Sequence, residues 1–520
     1  MKILPCGERA LLIEFDSLQA VLAATTLLSA MAATAEPPWD RVTDVVPAAR
    51  TVLLMASSLV GLRGAVSAAL AVPGPERPAE HTREVVIPVS YDGPDLAEVA
   101  RVTGLSEAEV IAAHTGTSWQ VAFCGFSPGF AYLTGGDPRL RVPRRDVPRT
   151  RVPAGAVGLA DEFSGIYPSA SPGGWQLIGT TAVSLFDLTA PRPALLGPGT
   201  IVSFVSAQPG ATLLHPEPPV EPTEHVDDGQ GRALLVEAAM LPILVEDAGR
   251  PGLAAIGVGA SGAADFSAYR LGARLVGNED GQAALEITAG NVTLRARGAL
   301  TAALTGAVCK AEVGTRAVSP GVAFTIGDGE SLRIGLPEAG LRSYLSLRGG
   351  IDSPLVLGSR ARDTLGGLGP APLRAGDWVQ IAPAHSGWVP GLDWTPVTAS
   401  QPSVVELEYL VGPRAQWVTH LAGSRWRVGA HSDRVGVRLE GARLPRREGE
   451  LPSEPTVRGA VQVPPSGQPV LFLADHPITG GYPVVAVLTA AACDLAAQLR
   501  PGQWCRLVQR PVPDAGTRLD

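Results

Sequence analysis

At 520 residues the chain is too long for a single hydrophobic core and predicts roughly three to five domains. The apolar fraction of 45% is ample for several cores, and the formal charge of -8 gives no general attraction to phosphate backbones, so nucleic acid is excluded as a first expectation for a partner. Lysine occurs only at positions 2 and 310, which excludes chemistry built on clustered lysines and leaves guanidinium as the tool for carboxylates and phosphates.

From the N-terminus, ALLIEF (10–15), VTDVVP (42–47) and TVLLMA (51–56) read as strands, and 18–35 and 61–71 as helices. Residues 1–80 are therefore expected to form a small α/β domain. No apolar run reaches membrane-spanning length, and the stretch 20–34 carries threonines and a serine. Cys6, Cys124, Cys309, Cys493 and Cys505 are scattered with no CxxC, which suits a reducing compartment and argues against a thiolate metal site. A cytoplasmic protein without a membrane partner is the expectation.

A proline-rich linker is expected at 73–84, and from VVIPVSY (85–91) the texture changes to short β-branched runs between glycines and prolines, interrupted by a helical segment at 95–115. Further linkers are expected at 207–231 and about 382–403. LLGPGTIVSF (195–204), PLRAGDWVQI (372–381) and QLRPGQWCRL (498–507) repeat one pattern of a leucine, a glycine turn and a short apolar strand. A turn feeding the last strand of a barrel recurs in this way, so three related β barrels are expected at 84–206, 232–382 and 403–509. The fold class is mainly β with a small N-terminal α/β domain.

Chemistry concentrates in a few segments. FCGFSPGFAYLTGG (123–136), RTRVPAGAVGLA (149–160) and GIYPSASPGGWQLIGTT (165–181) crowd the first barrel with glycine and aromatic rings. GxxxxGK[ST] is absent, and no GxGxxG opens a helix. The expected substrate or phosphate cradle comprises Gly125, Phe126, Pro128, Gly129, Phe130, Gly155, Ser171, Gly173, Gly174 and Trp175, with Arg149 or Arg151 as an anion fork. On this reading Gly129→Val abolishes activity while the protein stays folded. Tight turns packed by aromatic rings are the alternative account of the same residues. In the last barrel, SDRVGVRLEG (432–441) and ADHPITGGYP (474–483) nominate Arg434, Asp475, His476 and Tyr482 as catalytic, with Arg438 on the face of Arg434. In the middle barrel Asp265 stands before a helix as a cap and binding candidate. Cys124 and Cys309 have no visible base and read as buried small residues.

At these motifs the sequence resembles the family of the B and C components of bacterial 5-oxoprolinase, also called the KipI and KipA family. GFSPGFAYL, RVPAGAVGLA and GIYPSASPGGWQLIG carry the likeness to the B component over residues 1 to about 210. GASGAADFSAYRLGARLVGN, GGIDSPLVLGSR, SDRVGVRL and ADHPITGGYPVVAVL carry the likeness to the C component over 232–510. The modules are also similar to the carboxyltransferase part of urea carboxylase and urea amidolyase. The resemblance implies cyclophilin-like β barrels and an ATP-dependent opening of 5-oxo-L-proline to L-glutamate, with ATP accompanied by Mg2+, no covalent cofactor and no protein-held metal. It implies a separate protein like the A component of 5-oxoprolinase as partner, and a small lactam or amide as substrate. Two other activities found among similar proteins are a carboxyltransferase drawing carboxybiotin from a partner and acting on urea or a related amide, and a histidine-kinase regulator. Direct allophanate hydrolysis is disfavoured, because neither lysine stands in a Ser-Ser-Lys arrangement.

Overall fold

The computed structural model describes residues 1–71, 83–145, 147, 149–207, 229, 231–384, 394, 402–449 and 451–510. The three expected proline-rich linkers lie almost wholly outside the described residues. Among those described, no helix is long and apolar enough to cross a membrane.

The N-terminal strands form an antiparallel sheet in the order Lys2–Pro5, Ala10–Glu14, Thr51–Ala56, Val42–Pro47. Strand alternation explains why ALLIE and TVLLMA are apolar throughout. Leu11, Ile13, Val52 and Leu54 face the helices Leu18–Ala33 and Leu62–Ala71, whereas Ala10, Leu12 and Leu53 point the other way. On that second face they pack with Val457, Phe472, Ile478 and Val487 from near the C-terminus. The sheet is thus buried on both sides, and its second face ties the N-terminal layer to the last β unit.

Next comes a seven-stranded sheet in the order Gln176–Thr180, Ala156–Ala160, Phe163–Ile166, Ala131–Thr134, Trp119–Cys124, Ile201–Ser206, Glu84–Val89. A bridge between Ser90 and Thr180 brings its two ends together and nearly closes it. The last seven-stranded unit is a closed barrel, running from Val404–Val411 to Trp504–Gln509. In both, the final strand lies parallel to the first, Ile201–Ser206 beside Glu84–Val89 and Trp504–Gln509 beside Val404–Val411. The glycine turns of LLGPGT and QLRPGQ feed these two closing strands. The middle region differs from the expected third barrel. It is a ten-stranded sheet built on two long strands, Leu300–Val313 and Ser331–Leu347, whose register shifts at Val308, Cys309 and Ala311. Bulges there let one bent strand serve several partners, and Trp378–Ile381 pairs antiparallel with Ala233–Ala239.

One polar residue inside the first barrel sets a pH dependence. His114 is fully buried against Phe204, with Nδ1 2.7 Å from the Tyr91 hydroxyl and Nε2 2.9 Å from Ser164 Oγ. Burial drives its pKa down to about 3, so the ring is neutral in the fold. Unfolding returns it to the ordinary value of about 6.5. The stabilisation from neutral His114 is therefore complete above that value and is lost progressively as the pH falls toward the folded value. We expect the drop in Tm between about pH 7 and pH 5 to shrink in His114→Gln, and thermal melts at the two pH values check it.

Candidate active site

The glycine–aromatic segment 123–136 is the turn between the strands Trp119–Cys124 and Ala131–Thr134. The turn amides of Gly125, Ser127, Gly129 and Phe130 are occupied by protein carbonyls. Gly125 N–H donates to Phe130 O (3.1 Å), Ser127 N–H to Gly125 O (2.7 Å) and Phe130 N–H to Ser127 O (3.0 Å). Gly129, at φ +78°, donates across the molecule to Ile256 O at 3.2 Å. A Cβ on Gly257 would sit 2.4 Å from Ser127 O, and one on Gly366 would meet Pro128. The segment therefore grips the middle unit, and the expected cradle of inward amides at Gly125 and Gly129 is corrected: those donors are spent on the turn and on docking. Gly155 N–H is likewise spent on Tyr167 O at 2.8 Å, and Gly173 lies on a strand paired with Arg149. Gly174 uses its carbonyl to accept Arg145 N–H.

The rings pack into a buried aromatic core. Phe130 and Trp175 are buried edge to face with centroids 5.4 Å apart, and Tyr167 joins them. Phe126 holds a left-handed backbone at φ +66°, unfavourable for an aromatic residue. The expected anion fork does not form. Arg151 is exposed, and Arg149 places two N–H groups on Asp95 at 2.8 Å each, beside Arg145. Burial alone would raise the Asp95 pKa, but hydrogen bonds from Arg149 and Leu177 N–H, with the two positive charges, hold it below the usual carboxylate value. Arg149 thus locks a loop.

A second constellation is built around Arg434, which is 5% exposed. Its Nε and Nη2 reach Asp475 at 2.9 and 3.1 Å, Nη1 reaches Glu286 at 2.6 Å, and Nη2 also donates to Gly262 O at 2.6 Å. Asp475 further accepts from Ser261 Oγ (2.6 Å) and from Thr364 N and Oγ1 (2.9 and 2.6 Å). Glu286 further accepts from the Tyr344 hydroxyl and Ala264 N. Burial would raise both carboxyl pKa values, yet the Arg434 charge outweighs it and lowers them. Glu246, 3.3 Å from Arg434, accepts no hydrogen bond; burial pushes its pKa well up against the Arg434 charge, and the neighbouring carboxylates add to the rise. Arg434 and Asp475, expected as catalytic groups, saturate one another and hold three chain segments together.

These two constellations meet at a cleft of about 820 Å³. The first barrel lends Phe126, Ser127 and Ser169–Pro172; the middle unit lends Leu241, Thr288, Ala289, Leu341, Arg342, Thr364 and Leu365; the last barrel lends Ser432–Val435, Val437, Leu499 and Pro501. Three buried polar atoms on these lining residues have no hydrogen-bond partner: Ser127 Oγ, Ser171 Oγ and Arg342 Nε. These atoms are enclosed behind the cleft surface, whose largely apolar lining is the usual form of a small-molecule site.

Of the expected residues, the structure brings Phe126, Ser171 and Arg434 to this cleft, with Asp475 directly behind Arg434. His476 does not join them: its Nδ1 is 2.9 Å from Pro477 O and its ring stacks on Phe472. Tyr482 is exposed outside the cleft, and Asp265 caps the helix Phe266–Leu275 while accepting from Gln498. Arg438 is exposed in a shallower depression with His431, Ser432 and Asp433. Sequence reasoning missed Arg342, Glu286, Glu246, Ser261 and Thr364. The available signal was an acid inside an apolar strand, in LVE (244–246) and ALEIT (284–288), where a carboxylate needs a buried cation. All five cysteines are buried free thiols, with Cys6, Cys124 and Cys505 pushed up to about 12, so none is poised as a nucleophile.

Two family models match: the carboxyltransferase domain, subdomain C and D, over residues 1–196, and the carboxyltransferase domain, subdomain A and B, over residues 256–509. The chain is 49% identical over 132 residues to the B component of 5-oxoprolinase from Escherichia coli, covering 25% of this chain and 61% of that protein. It is 35% identical over 281 residues to the C component of 5-oxoprolinase from Escherichia coli, covering 52% of this chain and 89% of that protein. The crystal structure of TTHA0988 superposes with a TM-score of 0.84 at 36% identity, over 96% of this chain and 100% of that one.

Proposed function

We infer the activity from the premise that the chain belongs to the carboxyltransferase-domain family and joins in one polypeptide a half matching the B component of 5-oxoprolinase and a half matching the C component. On this reading it is part of an ATP-dependent 5-oxoprolinase that activates the lactam carbonyl of 5-oxo-L-proline for hydrolysis to L-glutamate, with a separate A-type partner protein completing the reaction. The observation that carries it is the cleft itself, whose walls come from both halves. A five-membered lactam is a stable amide, and ATP supplies the phosphoryl group that makes its ring carbon electrophilic.

The residues of the cleft suit the lactam better than the nucleotide. Its lining holds no lysine, and the guanidinium of Arg434 is committed to Asp475 and Glu286. Arg342 is likewise committed, donating to Ala497 O and ion-paired with Glu286, so the cleft has too little free charge for a triphosphate and the phosphates are held outside it or together with the partner. Phe126, Leu341, Leu365 and Val437 give the cleft apolar surface suited to the ring carbons of a lactam.

The shared plan of the two seven-stranded units, with first and last strands parallel, supports a cyclophilin-like origin for both. The proposed divisions are 1–80, 84–206, 232–382 and 403–509, and the separate sheets are what supports them. Five free thiols suit a reducing, cytoplasmic setting. The test is to mix the purified protein with an A-type 5-oxoprolinase protein and measure glutamate formed from 5-oxoproline. ATP-dependent release is expected; no release under any condition overturns the reading.

A further inference from the structure

Seven non-glycine residues hold a positive φ among those described, and they concentrate around the cleft. Phe126 (φ +66°) and Ala289 (φ +60°) line it, and Ser261 (φ +52°) donates to Asp475 behind Arg434. Phe126 is the one aromatic residue of the seven. Ser127 N–H donates to Gly125 O at 2.7 Å, two residues back, so Phe126 is the apex of a γ-turn whose central residue is left-handed, the rare and strained form. Both other units clamp this turn. A Cβ on Gly125 would lie 2.6 Å from the Thr479 side chain of the last unit, one on Gly257 of the middle unit would lie 2.4 Å from Ser127 O, and Gly129 N–H donates to Ile256 O. A conformation of this kind persists only where its surroundings over-determine it. The turn aims the Phe126 ring at the cleft: the ring is only partly buried, and the buried rings of Phe130 and Tyr167 back it edge to face at 5.4 and 6.2 Å.

Backbone strain held at a cleft wall is a cost that packing alone does not require, since a glycine or asparagine at the apex would make the same turn more cheaply. What an aromatic residue adds there is a flat, rigid, apolar face open to the cavity. We propose that Phe126 positions the substrate of the cleft, the flat five-membered lactam lying against its ring. This rests on the 5-oxoprolinase reading and adds to it the surface on which the ring is laid and the device that fixes that surface. With the backbone set by the γ-turn and the ring backed by Phe130 and Tyr167, the wall is in place before the ligand arrives, and little ordering remains to be done on binding.

The experiment replaces the ring while keeping the turn, in the full chain with its A-type partner. Asparagine accepts the left-handed backbone at low cost, so Phe126→Asn removes the face without forcing the chain to a new path. It is expected to raise KM for 5-oxoproline by about 10-fold and to leave KM for ATP unchanged. Phe126→Tyr, which keeps the flat ring, is expected to hold KM for 5-oxoproline close to wild type. A wild-type KM for 5-oxoproline in Phe126→Asn overturns the proposal, as does a rise shared equally by ATP or one that tyrosine fails to rescue, since a purely structural role would act on both substrates. Should Phe126→Asn fail to fold, as judged by circular dichroism, Phe126→Trp decides by fluorescence: 5-oxoproline is expected to change the emission beyond any change in wild type, and no such difference overturns the proposal. Absence of glutamate release from wild type overturns the enzymatic reading instead. Calorimetric titration of 5-oxoproline into wild type and Phe126→Asn then judges the wall by itself: tighter binding by wild type supports it, and equal or absent binding overturns it.

Discussion

Arg434→Leu is expected to cost about 3–5 kcal/mol of stability at neutral pH and to abolish activity. The size follows from what the substitution leaves behind. Asp475 and Glu286 are fully buried carboxylates whose pKa values are lowered against their own burial chiefly by this guanidinium, with Arg342 assisting at Glu286. Without it they keep their hydroxyl and amide donors but lose the charge that offsets desolvation, and Glu246 adds a third acid to the same space. The pH dependence has a definite sign. Because the folded pKa values of Asp475 and Glu286 are lowered, their stabilisation is present above the ordinary carboxylate value of about 4 and is lost as the pH falls through the lowered folded values. The gap between wild type and variant is therefore widest near neutrality and narrows in acid. Urea unfolding of both proteins across that range measures it; a constant gap contradicts the assignment.

Gly129→Val is expected to lower both activity and Tm. Gly129 sits at φ +78°, where an L side chain costs about 1–2 kcal/mol, and a β-branched one is worse placed still. A Cβ there would meet Leu185 O and Phe186 Cβ, both at 3.0 Å, so the turn or its neighbours must give by a few tenths of an ångström. Its N–H is also the donor to Ile256 O, and any shift loosens the grip of the first barrel on the middle unit. The sequence alone suggested a local defect in a folded protein. The structure instead couples this turn to the seating of one half on the other, so rate and stability fall together. Differential scanning calorimetry beside the coupled assay distinguishes the two outcomes, and a variant with wild-type rate and Tm contradicts both.

The barrel-closing turns were legible because they are local: a glycine, a short apolar strand and a linker lie within ten or so residues of one another. The SPGF and SPGGW turns were legible as neighbours for the same reason of composition, and Phe126, Ser127, Ser171 and Pro172 do line one cleft. Their role was not legible. Whether Gly129 N–H faces a ligand or Ile256 O depends on a partner far along the chain, and no pattern within the turn records it. The same holds for Arg434, whose partners Glu286 and Asp475 lie 148 and 41 residues away. His476 and Tyr482 were nominated by proximity in sequence to Asp475. A sharp turn after Asp475 sends them to a different surface, where His476 meets Thr456 and Pro477. The middle unit escaped because a single bent strand of 17 residues reads in sequence as several short ones.

Filling the cleft tests directly whether it is where the lactam is activated. Ala170 is exposed on its rim, so Ala170→Trp places a large ring in the cavity without disturbing the buried charge network. The measurement is the rate of ATP-dependent glutamate release from 5-oxoproline by this variant with the A-type partner, beside its Tm. Loss of release with an unchanged Tm is the expected result, and release at the wild-type rate would contradict the assignment of the cleft as the active site.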